Sequence, residues 1–149
     1  MPIFGREEDD ADQFSAYVIL QAGKEEARRL IAGAVYQYKS GVQSENQTVA
    51  SKRLADEHPT MGQRFFNILC LAYGADAELF KDIVANGYLP KERAEGCDDE
   101  YAQVAYAFKT LIAPYIDRKL AAKLHKNWLP PINSVPPHRP PVLDVKSPG

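Results

Sequence analysis

Hydrophobic positions recur along the chain at steps of three and four residues, not at alternate ones, so the pattern predicts helix nearly throughout. A first helix is predicted from about Glu7 to Ala22, stopped by Gly23. A second, from about Lys24 to Ser40, carries Ala27, Leu30, Ile31, Ala34, Val35 and Tyr38 on one face and ends at Gly41. Residues 41–50 read as a polar loop, and a short helical turn is expected over Ser51 to Asp56. Thr60 and Gln63 have the spacing of a capping box, in which each side chain reaches the other's backbone N–H. The helix they open bears Phe65, Phe66, Leu69, Ala72 and Tyr73, with Gly74 as its expected end. Asp76 is placed to cap a fourth helix, with Leu79, Phe80, Ile83 and Val84 inward and Asn86-Gly87 behind it. Asp98 is placed to cap the longest, whose stripe is Tyr101, Val104, Ala105, Phe108, Leu111, Ile112 and Tyr115. Pro114 lies inside that stripe, lacks an N–H and clashes with the carbonyl four residues back. Because the pattern resumes through Ile116 and Leu120, a kink is expected there, not an end.

No strand pattern and no internal repeat emerges, and from Trp128 the composition changes. Seven of the eleven prolines fall in the last 22 residues, which excludes helix and predicts an extended or polyproline II segment. The expected architecture is therefore all-α, with about five helices around one core over residues 1–127 and a proline-rich tail over 128–149. A chain of 149 residues is one ordinary domain and builds a core without metal or disulfide staples.

Composition narrows the function classes. Net charge is −2, so no whole-chain field draws the protein to nucleic acid or anionic lipid. No apolar run approaches the roughly 20 residues needed to span a bilayer. The opening Met1-Pro2-Ile3-Phe4-Gly5-Arg6-Glu7-Glu8 lacks a signal-peptide layout, since acids arrive where an apolar stretch belongs. Cys70 and Cys97 stand 27 residues apart, outside zinc-finger and Cys-x-x-Cys spacings. A bridge worth about 3 kcal/mol and two buried thiols both fit that composition. Asn46-Gln47-Thr48 matches a glycosylation sequon, which matters only in a eukaryotic secretory pathway.

The candidate chemistry lies at the start of the first helix. Glu7, Glu8, Asp9, Asp10 and Asp12 are acidic, and acids at a helix N-terminus are explained in part by its positive end. At about 100° per residue, Glu8 and Asp12 fall on the side of Ala11, Ser15, Val18, Ile19 and Ala22, with Asp9, Asp10, Gln13 and Tyr17 opposite. Carboxylates aimed at a buried side require an Arg, a His or a metal. A Glu and an Asp four residues apart suit a metal ligand and a carboxylate that orients a ligand histidine, although such pairs are abundant in helices. His58 precedes the capped helix near Asp56 and Glu57; a lone His there also serves as a surface or capping residue. His125 sits among lysines at the end of the last helix, and His138 lies in the proline tail.

Three stretches together resemble a bacterial extracytoplasmic family of zinc metallopeptidases that largely lacks characterised substrates. They are Pro2-Ile3-Phe4-Gly5-Arg6-Glu7-Glu8-Asp9-Asp10-Ala11-Asp12-Gln13; Asp56-Glu57-His58 with Gln63 through Cys70 and Tyr73-Gly74; and Gly87-Tyr88-Leu89-Pro90, Arg93-Ala94 and Cys97 through Tyr101. The resemblance covers about residues 2–120. It implies a thermolysin-like arrangement in which two histidines of a His-Glu-x-x-His helix and a downstream Glu bind zinc. By that resemblance Glu8 is the third zinc ligand, Asp12 orients a ligand His, and His58 stabilises the transition state of peptide hydrolysis. It also implies a Cys70–Cys97 disulfide, an extracytoplasmic location and a peptide or protein substrate.

The sequence departs from that pattern because no His-Glu-x-x-His occurs in the 149 residues. One ligand cannot hold a catalytic zinc, so this chain alone is expected to bind none stably and to be inactive. A truncated start accounts for this, with zinc present in a full-length parent; a true start at Met1 would make the protein cytoplasmic. The alternative is a non-catalytic helical binding module, with Pro137-His138-Arg139-Pro140 as an interaction element and Arg or Lys partners for Glu8 and Asp12, Arg64 being the candidate. A third is an unrelated all-α module, of which a partial metal site of Glu8, Asp12 and His58 is a minor variant.

Overall fold

The capping box forms as its spacing predicts. The Gln63 N–H donates to Thr60 Oγ1 at 3.2 Å, and the Thr60 N–H donates to Gln63 Oε1 at 3.0 Å. The computed structural model describes residues 6–44 and 58–128, with side chains described over 6–37 and 58–123. Its α-helices are α1 (Glu7–Leu20), α2 (Lys24–Ser44), α3 (Met61–Ala75), α4 (Lys81–Ala85), α5 (Lys91–Ala94), α6 (Cys97–Leu111) and α7 (Arg118–Trp128). A 3-10 turn, Ala113–Tyr115, separates the last two, and no strand occurs among the described residues. The fold is all-α, as the periodicity predicts. The expected turn at Ser51–Asp56, the sequon and the proline tail lie outside the described residues.

Helix α3 is the centre. Ile68, Leu69, Cys70, Leu71 and Ala72 are five consecutive buried residues, so this stretch of the helix is covered on all sides rather than along one stripe. Helices α1, α2 and α6 pack around it. Ala27, Ile31 and Val35 of α2 face it with the predicted period, and the helix continues past Gly41 to Ser44. Gly23 and Gly87 take positive φ, 95° and 73°, at the two turns where the sequence places helix stops.

Gly74 has a different purpose from the one expected. The helix runs through it to Ala75, and a Cβ there would lie 1.9 Å from the carbonyl oxygen of Cys97. Its missing side chain lets α3 meet the start of α6. One turn earlier on α3, Cys70 is bonded to Cys97, with an S–S distance of 2.00 Å and a Cα–Cα distance of 5.0 Å.

Three further boundaries and one helix face differ from expectation. The predicted fourth helix is reduced to a turn over 77–80 and the short α4, although Asp76 Oδ1 does accept the Leu79 N–H at 2.9 Å. Gly96, not Asp98, stands at the N-cap of α6, and Asp98 lies in its first turn beside the helix's positive end. Pro114 ends α6 instead of kinking it, and the chain restarts where Asp117 Oδ1 accepts the N–H groups of Lys119 and Leu120 at 2.9 and 3.0 Å. A separate cap makes a new helix, which is why the apolar pattern resumes. Leu111 and Tyr115, placed in the buried stripe by period alone, are 51% and 87% exposed.

The helix face is that of α1. Its buried residues are Ala16 and Tyr17, while Val18 is exposed, so the inner arc is turned by about one residue step from the expected one. Tyr17 packs on α6, 4.5 Å from the Phe108 ring centroid and 5.9 Å from that of Tyr101. Burial, and then the neighbouring Tyr101, push the Tyr17 phenol above its ordinary pKa, so it remains neutral.

Candidate active site

Glu8 and Asp12 lie one turn apart on α1, and the N-terminal end of α3 crosses them. His58 leads into α3 through Pro59, a buried residue of fixed φ, and Thr60, the cap. That entry sets the His58 ring over the first turn of α1, with Nδ1 2.6 Å from Glu8 Oε1. Because a carboxylate only accepts, Nδ1 carries the hydrogen of this contact. One turn into α3, Arg64 Nε and Nη2 reach Asp12 Oδ2 and Oδ1 at 2.6 and 2.8 Å. The side chains of Asp12 and Arg64 are 16% and 23% exposed, against 32% and 58% for Glu8 and His58. The two pairs form a ladder from α1 to α3, with the bidentate rung on the inner side.

All three site residues read from the sequence are thus brought to one place. The inward carboxylates have the cationic or imidazole partners their placement requires, and Arg64, named as a candidate partner, is the one for Asp12. Two features went unread. Arg93 Nη1 lies 2.8 Å from Cys70 Sγ and forks onto Glu100 at 2.6 and 2.8 Å, covering the disulfide. The second is a cleft of about 460 Å³ between α1, α3 and α6, lined by Gln13, Asn67, Leu71, Glu100, Gln103, Val104 and Ala107. Asn67 follows Arg64 by three residues on α3, so both lie on one helix face and the cleft opens about one turn beyond the Asp12 pair. The amide signal was present at Gln13, Asn67 and Gln103, but their convergence depends on how three helices cross.

A catalytic zinc takes three protein ligands and a water. Among the described residues no three His, Cys, Asp or Glu side chains converge in a group that could hold a metal ion. Glu8 and His58 are two adjacent donors, while both oxygens of Asp12 are engaged by Arg64. The described residues alone do not fit a catalytic zinc.

Residues 1–112 match the model of a protein family described as "Putative metallopeptidase". The chain belongs to that family. No curated protein and no solved structure matches it. The metallopeptidase span includes Glu8, Asp12, His58, Arg64 and both cysteines, and it stops at the end of α6. Helix α7 and the proline-rich tail lie beyond it. No helix among the described residues is long and apolar enough to cross a membrane.

Proposed function

We propose that this chain carries part of the active site of a zinc-dependent peptidase of bacterial extracytoplasmic type, and that peptide hydrolysis requires a His-Glu-x-x-His helix joined to it. Glu8 is the metal ligand in this reading. Asp12 positions a ligand histidine, and His58 stabilises the transition state that develops at the scissile carbonyl. The observation that supports it is the contact of Glu8 with His58, which brings together residues 50 positions apart inside the metallopeptidase-family span. The cleft beside Asn67 suits the substrate, since side-chain amides offer both a donor and an acceptor to a peptide backbone.

A second reading is favoured by the Asp12–Arg64 pair. A cationic partner for Asp12 is what a non-catalytic helical binding module of the same family would need.

The test is made on the polypeptide as its native cell produces it, by intact mass, zinc content and hydrolysis of an unfolded protein. Zinc at one per chain, lost together with hydrolysis in Glu8→Ala, supports the peptidase reading; hydrolysis persisting with zinc in that variant overturns the ligand assignment. His58→Ala should keep its zinc and lose 10² or more in kcat. A native product without zinc or hydrolysis would leave the binding module.

A further inference from the structure

Helix α7 has no place in the peptidase reading, since it follows the family span. Its sequence, Arg-Lys-Leu-Ala-Ala-Lys-Leu-His-Lys-Asn-Trp, holds four cations and no acid. Net charge over the whole chain is −2, so everything outside this helix carries −6. The helix is thus a net-positive element, +4, on a remainder that is net acidic.

The register of α7 is equally segregated. Leu120, Leu124 and Trp128 follow one another at four-residue steps and share one side of the helix. At about 100° per residue, Lys119 and Lys123 flank that stripe on one side and Arg118 and His125 on the other. Every side chain from Arg118 to Lys123 is exposed, Leu120 by 53%. None of Arg118, Lys119 and Lys123 enters an ion pair among the described residues. Just ahead of the helix, Tyr115 is 87% exposed and Ile116 is 38% exposed.

From this arrangement we infer that α7 is a membrane-surface helix that docks on anionic lipid. An apolar stripe with Leu and Trp, bordered on both sides by cations, is the layout of a helix lying in the interface plane. The stripe enters the headgroup boundary while the flanking Lys and Arg reach lipid phosphates. Tyr115 adds a second amphipathic ring suited to that depth. Charge decides among occupants. A second copy of the helix would bring four cations against four, whereas an anionic bilayer neutralises them and repels the acidic body. The inference stands apart from the peptidase reading, because it uses no residue of the candidate site.

Trp128 is the only tryptophan in the chain, so its fluorescence reports this helix alone. The full chain is titrated with vesicles of phosphatidylcholine mixed with phosphatidylglycerol, and with vesicles of phosphatidylcholine alone. A blue shift and co-sedimentation with the anionic vesicles only, weakened by added salt, are expected. The double variant Lys119→Glu/Lys123→Glu should bind at least about tenfold more weakly, by reversing two surface charges. Both positions are exposed, so an unchanged melting curve will show that the fold is kept. No shift with anionic vesicles, equal binding to both kinds, or undiminished binding of the double variant would overturn the inference. So would a concentration-dependent dimer abolished by Leu120→Glu, which would assign the stripe to a second copy.

Discussion

Asp12 is held by Arg64 of α3 and Glu8 by His58 just ahead of that helix, and the two carboxylates differ in what their loss should do. Arg64 meets Asp12 with two nitrogens in a setting where both side chains are mostly covered. Arg64→Ala strands a partly buried carboxylate and should lower stability by about 1–3 kcal/mol, read from the urea midpoint. Arg64→Lys should restore only part of this, because an ammonium cannot match the two-point geometry. Glu8→Gln, at the more exposed rung, should cost less than about 1 kcal/mol. Equal losses at the two positions would contradict an inner and an outer rung. The sequence reading puts both carboxylates on the inward side of the first helix and His58 just ahead of the capped one, but does not say which partner each takes. Partner choice depends on the rotation of α1, and the expected inward face left Tyr17 on the opposite side. A tyrosine buries its ring, and Tyr17 does so against Tyr101 and Phe108.

Helix ends were legible where a side chain or a positive φ makes them, as at Thr60, Gly23 and Gly87, and illegible where tertiary approach decides. Gly74 is the plainest case. Gly74→Ala drives a Cβ into the backbone carbonyl of Cys97, an atom that cannot swing aside, and should cost at least the upper part of about 1–3 kcal/mol. Gly23→Ala meets open space and suffers only from its positive φ, costing about 1 kcal/mol. Urea midpoints in that order would separate close approach from backbone strain. Between α2 and α4 the tie is electrostatic: Arg28 forks onto Asp82 at 2.9 and 2.8 Å and also donates to the Leu79 carbonyl. Hydrogen bonds from Arg28 hold the Asp82 carboxyl below its ordinary pKa, and the Leu79 N–H, then Lys24, does the same for Asp76. The stabilisation from each is complete above the unfolded carboxylate value, about 3.9, and disappears as pH falls through the lowered folded value. Asp82→Asn should therefore melt below the native protein at neutral pH, with the gap narrowing under acid. A gap that stays constant down to pH 2 would assign the loss to shape and not to charge.

At the scale of the whole molecule, α3 belongs to two assemblies at once. Its first turns hold the ladder to α1, and its last turns are bonded to α6 through Cys70–Cys97, where Arg93 and Glu100 close over the sulfurs. The cleft lies between these attachments, with walls on α1, α3 and α6. Sequence spacing left bridge and thiols equally open for the cysteines, because a separation of 27 residues says nothing of how two helices meet. Removing the bridge tests how the two assemblies are coupled. Cys70→Ala/Cys97→Ala should lose about 3 kcal/mol, the value of closing a loop of this size, and a reductant should lower the melting temperature of the native chain but not of the variant. Hydrogen exchange then locates the loss. If the bridge ties only the α6 wall, amides of α6 should lose protection while those of α1 and the first turns of α3 keep theirs. The ladder would then survive with one wall of the cleft loosened, and the variant would separate substrate binding from the positioning of Glu8 and His58. Uniform loss of protection along all three helices would instead make site and cleft a single cooperative unit, joined through the buried stretch Ile68–Ala72 of α3.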